Sequence, residues 1–164
     1  GNKEAKVVLI EYLDFQCEAC ASVYPMTEKI KEEYKDRVLF VTRYFPLSGH
    51  QYSKQSASVV EASGQQGKYW EMFRIMFERQ TAWDASSDPS TLFDSYAKEI
   101  NLDMEKFKID IKSQATKDRI ENDFSSGSKL NVQGTPSFFI NGRKMSTPTD
   151  IAAFRKVLDE ELAK

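Results

Sequence analysis

The sequence predicts an α/β fold in which an all-helical block interrupts a small sheet. β-rich apolar runs occur only near the two ends of the chain, whereas residues 48–130 carry amphipathic helical periodicity. A chain of 164 residues that is 40% hydrophobic buries one good core and is too short for two ordinary domains. Residues 1–47 and 131–164 are therefore assigned to the core and 48–130 to the insertion, within a single structural domain.

The run VVLIEYLDF, Val7 to Phe15, is apolar and β-branched on both faces, as expected of a strand covered on each side. It ends at two cysteines. From Ala19 to Tyr34 the pattern turns helical, with Ile30 and Tyr34 on one apolar face and Pro25 behind Tyr24. Asp36 and Arg37 break it before VLFVTRYF, Val38 to Phe45, a second strand ended by Pro46. This is a βαβ unit with a right-handed crossover. Helices are predicted over about 51–64, 67–80, 89–100, 103–111 and 114–130, punctuated by Gly64, Gly67, Asp88 with Pro89, and Asn101. After Gly134, the segment TPSFFING is a strand closed by the hairpin signal Asn141–Gly142, with Arg143 to Ser146 returning. A last helix runs from Thr149 to Ala163. No internal repeat or low-complexity tract argues for another architecture.

The formal net charge is −2 and the charges are interleaved, which leaves no basic stripe for a phosphate backbone and argues against a nucleic-acid partner. No apolar run approaches the roughly 20 residues a membrane span needs. The opening GNKEAKVVLI lacks a long apolar leader segment, and an extracytoplasmic protein without its leader or anchor has the same appearance.

Cys17 and Cys20 are the only cysteines, so any intramolecular disulfide joins these two. Closing so short a loop contributes only about 2 kcal/mol, which makes the pair a poor structural staple. At i and i+3 on one face of a helix start, they suit a disulfide that opens and closes with little backbone motion. Cys17, at the helix N-terminus, is the expected nucleophile, because unpaired amides and the macrodipole stabilise its thiolate; Cys20 resolves the mixed disulfide. Zinc also uses Cys-x-x-Cys, but it takes four ligands, and beyond these thiols only His50 and carboxylates remain. No metal is assigned. Gly134-Thr135-Pro136 puts a proline at a strand entrance, where a cis bond and an ordinary trans proline on an edge strand weigh about evenly on their own.

FQCEAC after a buried strand, RYFPL on the next, a helical insertion and then GTPSFFING together resemble the DsbA-like branch of the thioredoxin superfamily, over essentially the whole chain. The resemblance implies a thioredoxin fold with an inserted helical subdomain and a cis Pro136 packed against a redox-active Cys17–Cys20 disulfide, with no other cofactor. It also implies that Thr135 offers its backbone to an incoming peptide by strand addition. The family carries an acid six residues before the nucleophile, which here is Glu11. A buried carboxylate there has a raised pKa and exchanges the proton of Cys20; the alternative is a solvent-facing side chain at a strand edge. One departure concerns redox strength. The strongest oxidants of the family have a proline and a histidine between the cysteines, where this chain has Glu18 and Ala19, and the Glu18 carboxylate is expected to raise the pKa of Cys17 and weaken the oxidant.

The function these features imply is a protein thiol-disulfide oxidoreductase, a dithiol oxidase acting on reduced or unfolded extracytoplasmic proteins at the periplasm, at the cell surface or after secretion. A membrane quinone-linked partner reoxidises it, and the chain is expected to be a monomer. The direction comes from the resemblance, since the cysteines alone support reduction and isomerisation equally. Other classes are a peptide- or metal-binding protein using the same groove, and a fold relative acting on glutathione conjugates, against which both cysteines argue. Trp70, Met72, Phe73, Met76 and Phe77 are expected to be core rather than a peptide groove, and His50 a loop or helix-entry residue without a catalytic role.

Overall fold

The computed structural model describes residues 1–164. Strand β1 (Val7–Leu13) leads into helix α1 (Glu18–Tyr34), which returns the chain to β2 (Val38–Tyr44) parallel to β1. Six helices follow: α2 (Ser53–Gly64), α3 (Tyr69–Glu78), α4 (Gln80–Asp84), α5 (Ser90–Glu99), α6 (Met104–Lys112) and α7 (Gln114–Lys129). The chain then re-enters the sheet as the hairpin β3 (Ser137–Ile140) and β4 (Arg143–Met145), and closes with α8 (Ile151–Leu162). The strand order is β2-β1-β3-β4, with β3 antiparallel to both of its neighbours. This is the thioredoxin fold with a helical insertion.

Both faces of the sheet are covered, which is why β1 reads as apolar throughout. On one face Val7 and Leu9 pack with Ile30 and Tyr34 of α1 and Phe154 and Leu158 of α8. On the other, Tyr12 meets Phe45, Val132 and Phe139, with Phe124 of α7 alongside. Gly127 lets α7 come this close, since a Cβ there would stand 2.7 Å from the Phe45 ring and 3.0 Å from that of Tyr12. The largest apolar cluster crosses the junction of sheet and insertion, running from Leu13, Phe15, Cys17 and Cys20 to Val59, Met72, Phe73, Met76, Trp83 and Phe107.

Several expectations need correction. The first two strands stop at Leu13 and Tyr44, short of Phe15 and Phe45, because the chain turns at Asp14, whose carbonyl accepts from Cys17 N at 3.1 Å. As expected, helix α1 runs on through Pro25, whose ring removes one donor from the helix interior. The expected helix over 67–80 ends at Glu78, and a five-residue helix, α4, follows a break at Arg79 (φ −114°, ψ 18°). Such a short element carries no readable periodicity. The last helix begins at Ile151, capped by Asp150, whose Oδ1 accepts from Ala153 N at 2.8 Å. Trp70 is 51% exposed, while Met72, Phe73, Met76 and Phe77 are buried. It sits outside the core, with the Lys31 ammonium 4.9 Å from its ring. Asn141 and Gly142 both have positive φ (46° and 79°), as a tight two-residue hairpin turn requires.

Candidate active site

Cys17 is the N-cap of α1 (φ −72°, ψ 119°), and its thiol makes no capping hydrogen bond, which leaves the first-turn amides facing the sulfur for its thiolate form. Both cysteines are free thiols and both are buried, Cys17 at 7% exposure and Cys20 at 1%. The Cys17 Sγ lies 3.3 Å from the carbonyl oxygen of Thr135, to which the thiol donates. The Thr135–Pro136 peptide bond is cis, and this loop is further shaped by Ser137 Oγ donating to the Gly134 carbonyl at 2.8 Å. The Thr135 hydroxyl is buried without a protein partner and is free to donate to the sulfur once Cys17 ionises.

The environment drives the two thiols apart. The Cys20 thiol hydrogen-bonds to Cys17 and pulls its pKa from about 9 down to about 5; burial opposes this, while Thr135 and the backbone amides of Cys20 and Ala19 reinforce it. Burial, then the neighbouring Cys17, push the Cys20 thiol far up. The expected upward push of Glu18 on Cys17 does not govern: Glu18 and Ala19 are exposed, the carboxylate is solvated, and the net direction for Cys17 is down.

Glu11 is 6% exposed and pairs with Thr42 of β2 and Phe138 of β3, so it lies inside the sheet and not at an edge. Burial raises its carboxyl to about 7, partly offset by Lys31 and reinforced by Glu28. A cavity of about 10 Å³, large enough for about one water molecule, lies between β1 and α1 and is lined by Glu11, Thr27, Lys31 and Thr42 among apolar side chains. Strand β3 lies between β1 and β4, so Pro136 precedes an interior strand and not an edge.

Sequence reasoning passed over the groups that hold the redox loop. The Asp14 carboxylate, fully buried, accepts from the backbone N–H of Gln16 (2.9 Å) and of Leu47 (3.0 Å), and bonds His50 Nδ1 (2.8 Å) and the Ser53 hydroxyl. His50 is thus a partner of Asp14 and does not reach the sulfurs. Gln16 bridges Asp84 (Nε2 to Oδ1, 2.6 Å) and the Tyr52 N–H, accepted by its Oε1 at 2.6 Å. Gln80 donates to the carbonyls of Phe15 and Cys17. Asp14 left a legible signal, a charge inside an apolar run, whereas Gln80 left none. No group of three or more His, Cys, Asp or Glu side chains comes together in a way that could hold a metal.

A family model described as thioredoxin matches residues 1–160. Among solved structures, Wolbachia pipientis alpha-DsbA1 matches with a TM-score of 0.87 at 26% identity, over 99% of this chain and 89% of that one. Oxidised BdbD from Bacillus subtilis matches with a TM-score of 0.86 at 22% identity, over 100% and 91%, a likeness of fold. Among curated relatives, the Na(+)/H(+) antiporter NhaA 3 of Salinispora tropica is 32% identical over 154 residues, 93% of this chain and 23% of that protein. The NhaA antiporter of Herminiimonas arsenicoxydans is 30% identical over 159 residues, 97% and 24%. The chain spans about a quarter of the length of these curated relatives.

Proposed function

The chain belongs to the thioredoxin superfamily, in its DsbA-like branch of thiol-disulfide oxidoreductases, and from that premise we propose that it is a dithiol oxidase of moderate strength. In its oxidised form a substrate thiolate attacks Cys17 Sγ; the Cys17–Cys20 bond breaks and Cys20 leaves as a thiolate. Cys20 holds a proton far more tightly than Cys17, so it takes one up, and Glu11, raised to about 7, is the group with a proton to give. A second substrate thiolate then attacks the substrate sulfur of the mixed disulfide. Cys17 departs as a thiolate, and the substrate carries the new disulfide. The disulfide bond has passed from the enzyme pair to the substrate, and two electrons have passed from the substrate thiols to Cys17 and Cys20.

The observation that carries this reading is the asymmetry of the two thiols, one acidic at the helix entry and one strongly basic beneath it. An acidic Cys17 is a good leaving group, which favours release of oxidised product over attack on it. Its value of about 5 falls between the roughly 7 of thioredoxin and 3.5 of DsbA, in line with an intermediate potential. Thr135 and Pro136 are assigned to binding an extended substrate segment, because the Thr135 backbone already meets Cys17 Sγ. Reduced extracytoplasmic proteins as substrates and a quinone-linked membrane partner for reoxidation belong to the same proposal and rest on the family. The antiporter activity named for the curated relatives belongs to proteins about four times as long; the site in this chain is built for sulfur chemistry.

Oxidation of a dithiol peptide by the oxidised protein, and reduction of insulin by its reduced form, test the proposal. Both are expected to vanish in Cys17→Ala. Wild-type protein inert in both assays, with peptide or metal binding that survives Cys17→Ala, would overturn it.

A further inference from the structure

Gln80 is 8% exposed and spends both hydrogens of its side-chain amide on the redox loop, with Nε2 2.6 Å from the Phe15 carbonyl and 3.0 Å from that of Cys17. A buried amide is costly unless it is bonded, and this one is bonded through both of its hydrogens. Helix α4, which supplies it, is only five residues long but firmly anchored. The indole of Trp83, fully buried, donates to the Met76 carbonyl at 2.8 Å, and Asp84 accepts from Gln16 at 2.6 Å. The amide is thus delivered to one place from outside the sheet.

The two carbonyls it meets belong to the loop that carries the sulfur, one on Cys17 and one two residues before it. That of Cys17 belongs to the nucleophile itself and already accepts from Ala21 N at 3.1 Å. In a buried site the negative ends of such carbonyls oppose an anion beside them, and a donor on each weakens that opposition. We propose that Gln80 is a positioning residue for disulfide exchange: its amide, reaching in from the insertion, holds the Phe15 and Cys17 carbonyls so that the Cys17 sulfur is stable as an anion. The inference rests on the exchange chemistry proposed above. It gives the inserted helices a part in setting redox strength.

Gln80→Met keeps the shape and removes both donors, and Gln80→Glu keeps the shape and presents acceptors to acceptors. Thiolate absorbance near 240 nm, followed against pH, reads Cys17 directly, and equilibration with glutathione reads the pair. In Gln80→Met the proton affinity of Cys17 is expected to rise roughly tenfold. The potential should then fall by about 30 mV, since a less stable thiolate makes the reduced form less stable. Gln80→Glu is expected to rise further as its own carboxyl ionises, giving a pH profile that a merely structural role does not produce. Folded variants that titrate like the wild type overturn the inference, as does failure of both to fold, which would make the amide a strut. A wild type inert in thiol exchange overturns the proposed function alone, because the Cys17 titration is read without it.

Discussion

Two thiols three positions apart come to differ so widely because one caps a helix and the other is buried beneath it. Thr135 adds a hydroxyl with no partner but the sulfur. Thr135→Val removes that donor at constant shape, and the Cys17 pKa is expected to rise from about 5 by roughly one unit, read by thiolate absorbance. Glu11 makes a second prediction. Its folded pKa of about 7 lies above the 4.5 of a free carboxyl, so the folded state binds the proton more tightly. The stability this gives is fully present below pH 4.5 and is lost as the pH rises through 7. Glu11→Gln should therefore gain on the wild type between pH 5 and pH 8, by up to about 3 kcal/mol in denaturant unfolding. Its exchange rate should fall about tenfold or more for want of a proton donor to Cys20. A parallel pH dependence in both proteins would contradict this account of Glu11. Cys17 and Cys20 were legible because their type and spacing carry chemistry, whereas Glu11 was reached through the family resemblance. Glu18 is next to Cys17 in sequence but exposed, and the groups that set the Cys17 pKa are Cys20, Thr135 and the helix-entry backbone, because adjacency in sequence does not decide whether a side chain faces the sulfur or the solvent.

At the level of elements, the insertion packs closely on the sheet and the redox loop. Helix α7 approaches β1 and β2 at Gly127, beside Phe45 and Tyr12, whose rings meet edge to face with centroids 6.2 Å apart. Gly127→Ala places a methyl against rings that are themselves packed, and is expected to cost about 1–3 kcal/mol in denaturant unfolding despite the better helix propensity of alanine. An unchanged or improved stability would show that α7 rides higher on the sheet. The long periodic elements were readable: α1, α2, α5, α6 and α7 fall within two or three residues of their predicted bounds. The hairpin at Asn141 and Gly142 announced itself because only such residues accept positive φ there. Helix α4 was not readable, since five residues show no period, and its role depends on Gln80 meeting a loop 65 residues earlier.

For the molecule as a whole, the order of elements foretold the topology, because a βαβ unit, a helical block and a hairpin admit few arrangements around one sheet. What the order does not reveal is that the largest apolar cluster straddles core and insertion, with both cysteines inside it. That placement dries the thiols and lets the insertion act on them through Gln16, Gln80 and the partners of Asp14. Known members of the superfamily span about −270 mV for thioredoxin to about −120 mV for DsbA, a spread worth about 7 kcal/mol. The central claim is that Cys17 and Cys20 form a redox disulfide poised inside that span, and equilibration of the protein with glutathione buffers tests it most directly. A potential between these limits, lost when either cysteine is replaced, is the predicted result; a value at or beyond either limit, or no reversible disulfide at all, would contradict it.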